Sequence, residues 1–311
     1  MPASWLAWAR LLRLPNLATA VADVLAGFLI VSQARAVDWL PPAFWWAAAA
    51  SLLLYASGMV LNDVFDVDVD RLERPERPLP SGRIAVRRAA AVGHLLMACG
   101  GLAACGAAVA AGAPWPALVG GCLMVAVWLY DRHAKATSLG PAVMGSCRGL
   151  NWLLGMTAAG GPLTVHQWLL PVGMAVYVMG ITVYARDEAE DSLPATLAVG
   201  TVIMLVGLMT AGAAPWLAAR AGDAGAWLAG TRLSNWLLLW GMLATSILLR
   251  AVLGIVDPAS GRVQQAVGNA IMAIITLDAV LVLATCGEGW SILVLLLLAP
   301  FLLGRRFISP T

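Results

Sequence analysis

The chain has 311 residues, 61% of them hydrophobic and only 12% charged, with a net charge of +2 and a mean hydropathy of +0.83. So little charge excludes a soluble globular protein of this size. The small net charge carries little information, because in a membrane protein the placement of charge matters more than its sum.

Residues 4–13 carry Trp5, Trp8, Arg10 and Arg13 and read as a short amphipathic lead-in lying at the interface. No long apolar core or small-residue cleavage site precedes Arg13, so no cleavable signal peptide is expected. A first apolar run, 14–31, has Pro15 and Asn16 near its start and Asp23 further in. An aspartate inside a span is costly; the sequence leaves open whether Asp23 is functional or pairs with a neighbouring helix. Pro41-Pro42 opens the second span, whose apolar stretch 44–61 ends in Asn62-Asp63-Val64-Phe65-Asp66-Val67-Asp68-Val69-Asp70-Arg71. A basic loop follows, with Arg74, Arg77-Pro78-Leu79-Pro80 and Ser81-Gly82. The third span, 89–111, is rich in Ala and Gly, which lets neighbouring helices approach closely. The fourth, 117–130, leads into a polar loop with Asp131, Arg132, His133 and Lys135. The fifth, 141–159, contains Arg148 and Asn151, and the sixth, 168–184, runs into Arg186-Asp187-Glu188-Ala189-Glu190-Asp191. Four further runs, 193–217, 233–256, 267–286 and 290–303, complete the chain, the last being short against the ~20 residues a crossing needs.

The expected fold is therefore all-α: a polytopic membrane protein of nine or ten transmembrane helices in one domain, 1–311. Arg10, Arg13, the Arg71 to Arg88 loop, Arg132, Lys135, Arg186, Arg262, Arg305 and Arg306 all fall on one side of a ten-span arrangement, against Arg35, Arg220 and Arg232 on the other. That asymmetry favours ten crossings with both termini and the motif loops in the cytoplasm. The five cysteines lie within apolar runs without paired spacing, which fits small buried side chains rather than a disulfide framework or zinc site.

If the second span continues as helix, Asn62, Asp66 and Asp70 share one face with Asp63, and Asp68 points away. Carboxylates so close repel one another and call for arginines or a hard divalent cation in compensation. Mg²⁺ takes oxygen ligands and is often held by one or two carboxylates together with substrate phosphates. Arg71, Arg74 and Arg77 offer forks suited to phosphate oxygens. Asp187 and Asp191 repeat the four-residue spacing at a second helix exit on the same side. Arg148 in mid-span faces either a central cavity, with Asn151 one turn on, or a structural ion pair with Asp23 or Asp278.

Asn62-Asp63-x-x-Asp66-x-x-x-Asp70 followed by Arg77-Pro-Leu-Pro-Ser-Gly resembles the first signature of the UbiA superfamily of intramembrane prenyltransferases. Asp187-x-x-x-Asp191 resembles its second, and Tyr130-x-x-x-x-Lys135 stands where the family's third polar loop carries a tyrosine and a lysine. The phrases Arg13-Leu-Pro-Asn-Leu, Asp23-Val-Leu-Ala-Gly and Cys147-Arg-Gly-Leu-Asn-Trp resemble the EboC branch of UbiA-like proteins from bacterial Ebo clusters. The resemblance implies helices around a central cavity in a bacterial inner membrane, with the active site facing the cytoplasm. It implies Mg²⁺ held by Asp63, Asp66, Asp70, Asp187 and Asp191, and a diphosphate held by Asn62, Arg71, Arg74, Arg77, Tyr130, Lys135, Arg148, Asn151 and Arg186. The reaction it implies is transfer of a prenyl group from a prenyl diphosphate to an aromatic, small polar or lipid acceptor, with membrane lipids but no nucleic acid as further partners. The alternative is a membrane transporter or lipid-binding protein with the same fold and no transferase chemistry.

Overall fold

A computed structural model describes residues 3–33, 39–160, 162–186, 192–222, 227–228 and 231–307. Its helices follow the apolar runs. Helix α1 (Ala3–Leu11) leads through a single 3-10 turn (Leu14–Asn16) into α2 (Leu17–Ser32); then come α3 (Pro42–Phe65), α4 (Val67–Glu73), α5 (Val86–Ala111), α6 (Trp115–Leu129) and α7 (Gly140–Ala158). After them come α8 (Val165–Tyr184), α9 (Pro194–Arg220), α10 (Leu233–Val256), α11 (Ser260–Cys286), α12 (Glu288–Leu296) and α13 (Leu298–Phe307). Among the described residues, seven helical stretches are long and apolar enough to cross a membrane: the one ending in α2, and α3, α5, α8, α9, α10 and α11.

Apart from the short α4, consecutive helices from α2 to α11 pack on one another in turn, and α11 returns to α2, which closes a ring. Helices α6, of 15 residues, and α7, carrying Arg148 and Asn151, complete this ring without joining the seven. Leu102, Val109, Met209, Leu238 and Val256 stand exposed on the outer surface. In water such a surface would be an aggregation site; in lipid it is the ordinary solvent-facing side. Inside the ring α2 also packs on α7. A Cβ on Gly155 would lie 2.2 Å from the Val24 carbonyl oxygen, so only glycine admits this crossing.

The tenth apolar run, 290–303, does not form one helix. It divides at Leu297, between α12 and α13. Pro300 explains the break: it has no N–H to give to residue 296, and its ring crowds that carbonyl. The pair nevertheless travels the length of α2. Before α12 begins, Cys286 donates its thiol to the Leu29 carbonyl at 3.3 Å, and at the far end Gly304 packs on Pro15. The 14 residues separating Pro15 from Leu29 correspond to about 21 Å of helix at 1.5 Å per residue. The segment therefore returns to the end of the bundle where α2 begins, as a tenth crossing requires.

Candidate active site

The acid motif sits where α3 gives way to α4. The expected unbroken helix is interrupted for one residue: Asp66 has φ −91° and ψ 0°. The backbone ladder still runs through, with Asp66 N–H donating to Asn62 at 3.0 Å and Asp70 N–H donating to Asp66 at 2.8 Å. The helical phase is thus kept. Asp63 and Asp70 are buried, Asp66 is half-buried, and Asp68 is exposed, as the spacing requires.

Each inward carboxylate faces a basic side chain. Arg77, itself buried, puts Nη1 2.9 and 2.8 Å from the two oxygens of Asp70 and 4.0 Å from Asp63. Arg13 donates to Asp63 from 3.3 Å. Lys135 pairs with Asp66. Asn62 donates its side-chain amide to Asp131 at 3.2 Å. Asp131 lies on a π-helical turn, Tyr130–Ala134, where the winding widens after α6. Such bulges often mark functional sites.

Asp131 is 3% exposed, and its Oδ2 is buried without a partner. Burial pushes its carboxyl up to about 7, with the Asp66 charge adding to the rise and Asn62 and Lys135 opposing it. Tyr130 beside it is pushed up to about 12, first by burial and then by the Asp131 charge. At neutral pH its phenol therefore keeps its proton and can donate it in a hydrogen bond.

The site thus gathers Asn62, Asp63, Asp66, Asp70, Arg77, Tyr130 and Lys135 from the expected set. It does not gather the others. Arg71 turns outward and pairs with Asp68 at 2.6 Å, where the two side chains are 56% and 85% exposed. An exposed pair of this kind contributes little stability. Arg74 is half-buried at the end of α4, and Arg186 is exposed beyond α8. Asp187 and Asp191 lie outside the described residues.

Arg148 and Asn151 require a correction. Arg148 reaches Asp23 at 2.8 Å, and Asn151 donates to the same Asp23 oxygen at 2.8 Å and to the Ala20 carbonyl at 2.9 Å. Ser51 on α3 donates to Asn151 at 2.6 Å. Their polar groups serve a network joining α2, α3 and α7 rather than the acid motif. The reason is electrostatic: Asp23 is fully buried, and the nearest guanidinium is drawn to it.

Two members of the site were missed from sequence. In sequence Arg13 belongs to the interfacial lead-in, and Asp131 to a polar loop. Arg13 occupies the left-handed region, φ 45° and ψ 49°, which costs a non-glycine residue about 1–2 kcal/mol. The turn that holds it there aims its guanidinium at Asp63. Arg13→Gly relieves the strain while removing the charge. Thermal unfolding of this variant should stay within about 1 kcal/mol of the parent, while affinity for a prenyl diphosphate analogue falls about tenfold, as loss of one charge-assisted contact implies. Equal loss of stability and affinity would make Arg13 a structural residue only.

The donor set fits a hard divalent cation in kind: carboxylate oxygens, an amide, and the unpartnered Asp131 Oδ2. Among the described residues, no three acidic, histidine or cysteine side chains close on one point.

Comparisons with known proteins agree with the fold. The sequence profile of the UbiA prenyltransferase family matches residues 20–269. The chain is 38% identical over 95 residues to a digeranylgeranylglyceryl phosphate synthase of Sulfolobus acidocaldarius, covering 30% of this chain and 33% of that one. It is 31% identical over 169 residues to a protoheme IX farnesyltransferase of Geobacter sulfurreducens, covering 52% and 60% respectively. In both cases the chain spans less than two thirds of the relative's length. A solved UbiA homologue from Archaeoglobus fulgidus, bound to GPP and Mg²⁺, superposes with a TM-score of 0.54 at 14% identity over 88% of this chain and 99% of that one. At that identity the likeness is one of fold.

Proposed function

The chain belongs to the UbiA prenyltransferase family, and from that premise we propose that it transfers a prenyl group from a prenyl diphosphate to an acceptor within the membrane, as one catalytic domain. The observation that carries this reading is the meeting of Asp63, Asp66 and Asp70 with Arg13, Lys135 and Arg77 at the end of an apolar helix bundle. A transporter has no need of that alternation of acids and bases at one helix exit.

Asp63, Asp66 and Asp70, with Asp187 and Asp191, are the residues that would hold Mg²⁺. Bound there, Mg²⁺ supplies charge neutralisation to the diphosphate leaving group. Arg13, Arg77 and Lys135 hold phosphate oxygens by charge-assisted hydrogen bonds, and the Tyr130 hydroxyl donates one more. As the allylic C–O bond breaks, its electron pair leaves with the diphosphate, and these cations stabilise the charge where it develops. The apolar bundle keeps water from the allylic cation. An electron pair of the acceptor then forms the new bond to carbon, and the acceptor loses a proton.

The two relatives differ in the acceptor their names imply, so neither sets the acceptor here. Our reading sets the acid motif on the cytoplasmic side of the cell membrane, and the arginine asymmetry supports it. The test is binding of a non-hydrolysable prenyl diphosphate analogue to the purified full chain. Affinity should collapse in EDTA and return with Mg²⁺. Equal affinity in both conditions would defeat the metal-dependent reading.

A further inference from the structure

The network around Asp23 holds more acid than base. Asp23 and Asp278 are both 0% exposed, and Arg148 is 8% exposed. Outside the candidate active site, with its buried Asp63, Asp70, Arg77 and Asp131, these three are the buried charged side chains among the described residues. Asp278 comes from α11, which runs alongside α2 in the same direction. Their register is fixed by Cys286 donating to Leu29 at 3.3 Å. Asp23 lies six residues below Leu29 and Asp278 eight below Cys286, so along the two helices they lie within about 3 Å of one level, close enough for each charge to act on the other.

The other groups turned toward the pair do not balance it. Helix α7 supplies Arg148, Asn151 and Trp152; α3 supplies Ser51, which is spent on Asn151, and Tyr55, a phenol that brings no positive charge; α8 supplies Tyr177, whose hydroxyl goes to the Ala270 carbonyl at 2.9 Å. Helix α12 supplies Ser291, whose hydroxyl goes to the Ala279 carbonyl at 2.9 Å. Arg148 and Asn151 both donate to Asp23 Oδ2. Asp23 Oδ1 and both oxygens of Asp278 are buried without a hydrogen bond, and the one neutral donor beside them left unspent, the Trp152 indole N–H, brings no positive charge. Two carboxylates against one guanidinium leave a net charge of −1, which a dry helix interior does not tolerate uncompensated.

We propose that Asp23 and Asp278 form a binding site for one proton, shared between them from neutral pH up to pH 9, and that this proton holds α11 against α2. The proton supplies the missing positive charge. It also turns two opposed acceptors into a donor and an acceptor, which satisfies Asp23 Oδ1 and one oxygen of Asp278. Asp23 remains the ionised partner of Arg148, because Arg148 and Asn151 both donate to it.

The test is infrared spectroscopy of the purified full chain at pH 9, where Asp131, pushed up to about 7, is ionised. A protonated carboxyl has a C=O stretch that carboxylates lack and that shifts in D₂O. The wild type should show one such buried band. Asp278→Asn should remove it. Asp23→Asn should remove it too, because Arg148 then neutralises the one carboxylate that remains; this second variant keeps the test open if the first does not fold. Arg148→Met should roughly double the band. A wild type without the band, or a band that survives both aspartate substitutions, overturns the proposal. Absence of the band together with a melting temperature that rises with Na⁺ overturns it in favour of a metal cation in the same site.

Discussion

Asp66→Asn is expected to lower prenyl transfer roughly 10²–10³-fold, the usual cost of removing one group that stabilises developing charge, while leaving the protein folded. The reasoning begins with position. Asp66 is the one residue between α3 and α4, so its carboxyl stands at the mouth of the bundle rather than in lipid. Its side chain is 29% exposed and pairs with Lys135, whose side chain is 23% exposed. A pair so placed adds about 1 kcal/mol at most to stability. Asparagine keeps the size and an oxygen but not the charge that a hard cation prefers. Activity and stability should therefore separate, as read by turnover of a radiolabelled prenyl diphosphate beside thermal unfolding in detergent. Asp68→Asn is the control: it is exposed, paired with Arg71, and turned away from the site. It should stay within about twofold of the parent, since exposed pairs contribute so little. If Asp68→Asn is as damaging as Asp66→Asn, helical phase does not select the functional carboxylates. If neither substitution affects turnover, the transferase reading fails.

Much of this architecture was legible because lipid imposes a simple rule on sequence: apolar runs of sufficient length become helices, and their borders are polar. The run 233–256 became α10 with the same borders, and the run 193–217 became α9 with a shift of one residue at its start and three at its end. Helical phase also separated inward Asp63 and Asp70 from outward Asp68. The one-residue break at Asp66 was not legible, because nothing local forbids helix there; it follows from how the basic turn beyond it packs. Leu79 and Ile84 of that turn form a small apolar cluster with Ala7 and Leu11 of α1 and with Val60 and Ala89, and this ties the lead-in to the site. Arg13 reaches Asp63 through that arrangement and a left-handed residue, and periodicity encodes neither. Asp131 looked like a loop residue because a π-helical turn has no sequence signature of its own. Arg148 was the hardest to read. Its partner, Asp23, lies 125 positions earlier in the chain, and only the packing of α2 on α7 decides between a substrate contact and an ion pair.

That decision carries the second large effect. Arg148→Met should destabilise the protein by about 3–5 kcal/mol, the range for removing one member of a buried ion pair. Methionine fills similar volume, so the loss is chiefly electrostatic rather than a cavity. Asp23 would lose its cationic partner while keeping the Asn151 amide at 2.8 Å, and with 0% exposure it has no water to turn to, so it must take up a proton at a cost in folding free energy. The double variant Asp23→Leu/Arg148→Met removes both charges and replaces them with apolar groups. It should recover much of the stability lost by the single variant, because buried pairs often exchange for apolar side chains at little net cost. Unfolding in mixed micelles, compared across both single variants and the double, measures the coupling directly. Affinity for the prenyl diphosphate analogue supplies the second readout. Arg148 donates to Asp23 and not to the acid motif, so folded Arg148→Met should bind the analogue as the parent does. A large loss of affinity with unchanged stability would return Arg148 to the diphosphate site, and additive losses in the double variant would mean that Asp23 and Arg148 are not a pair in the membrane.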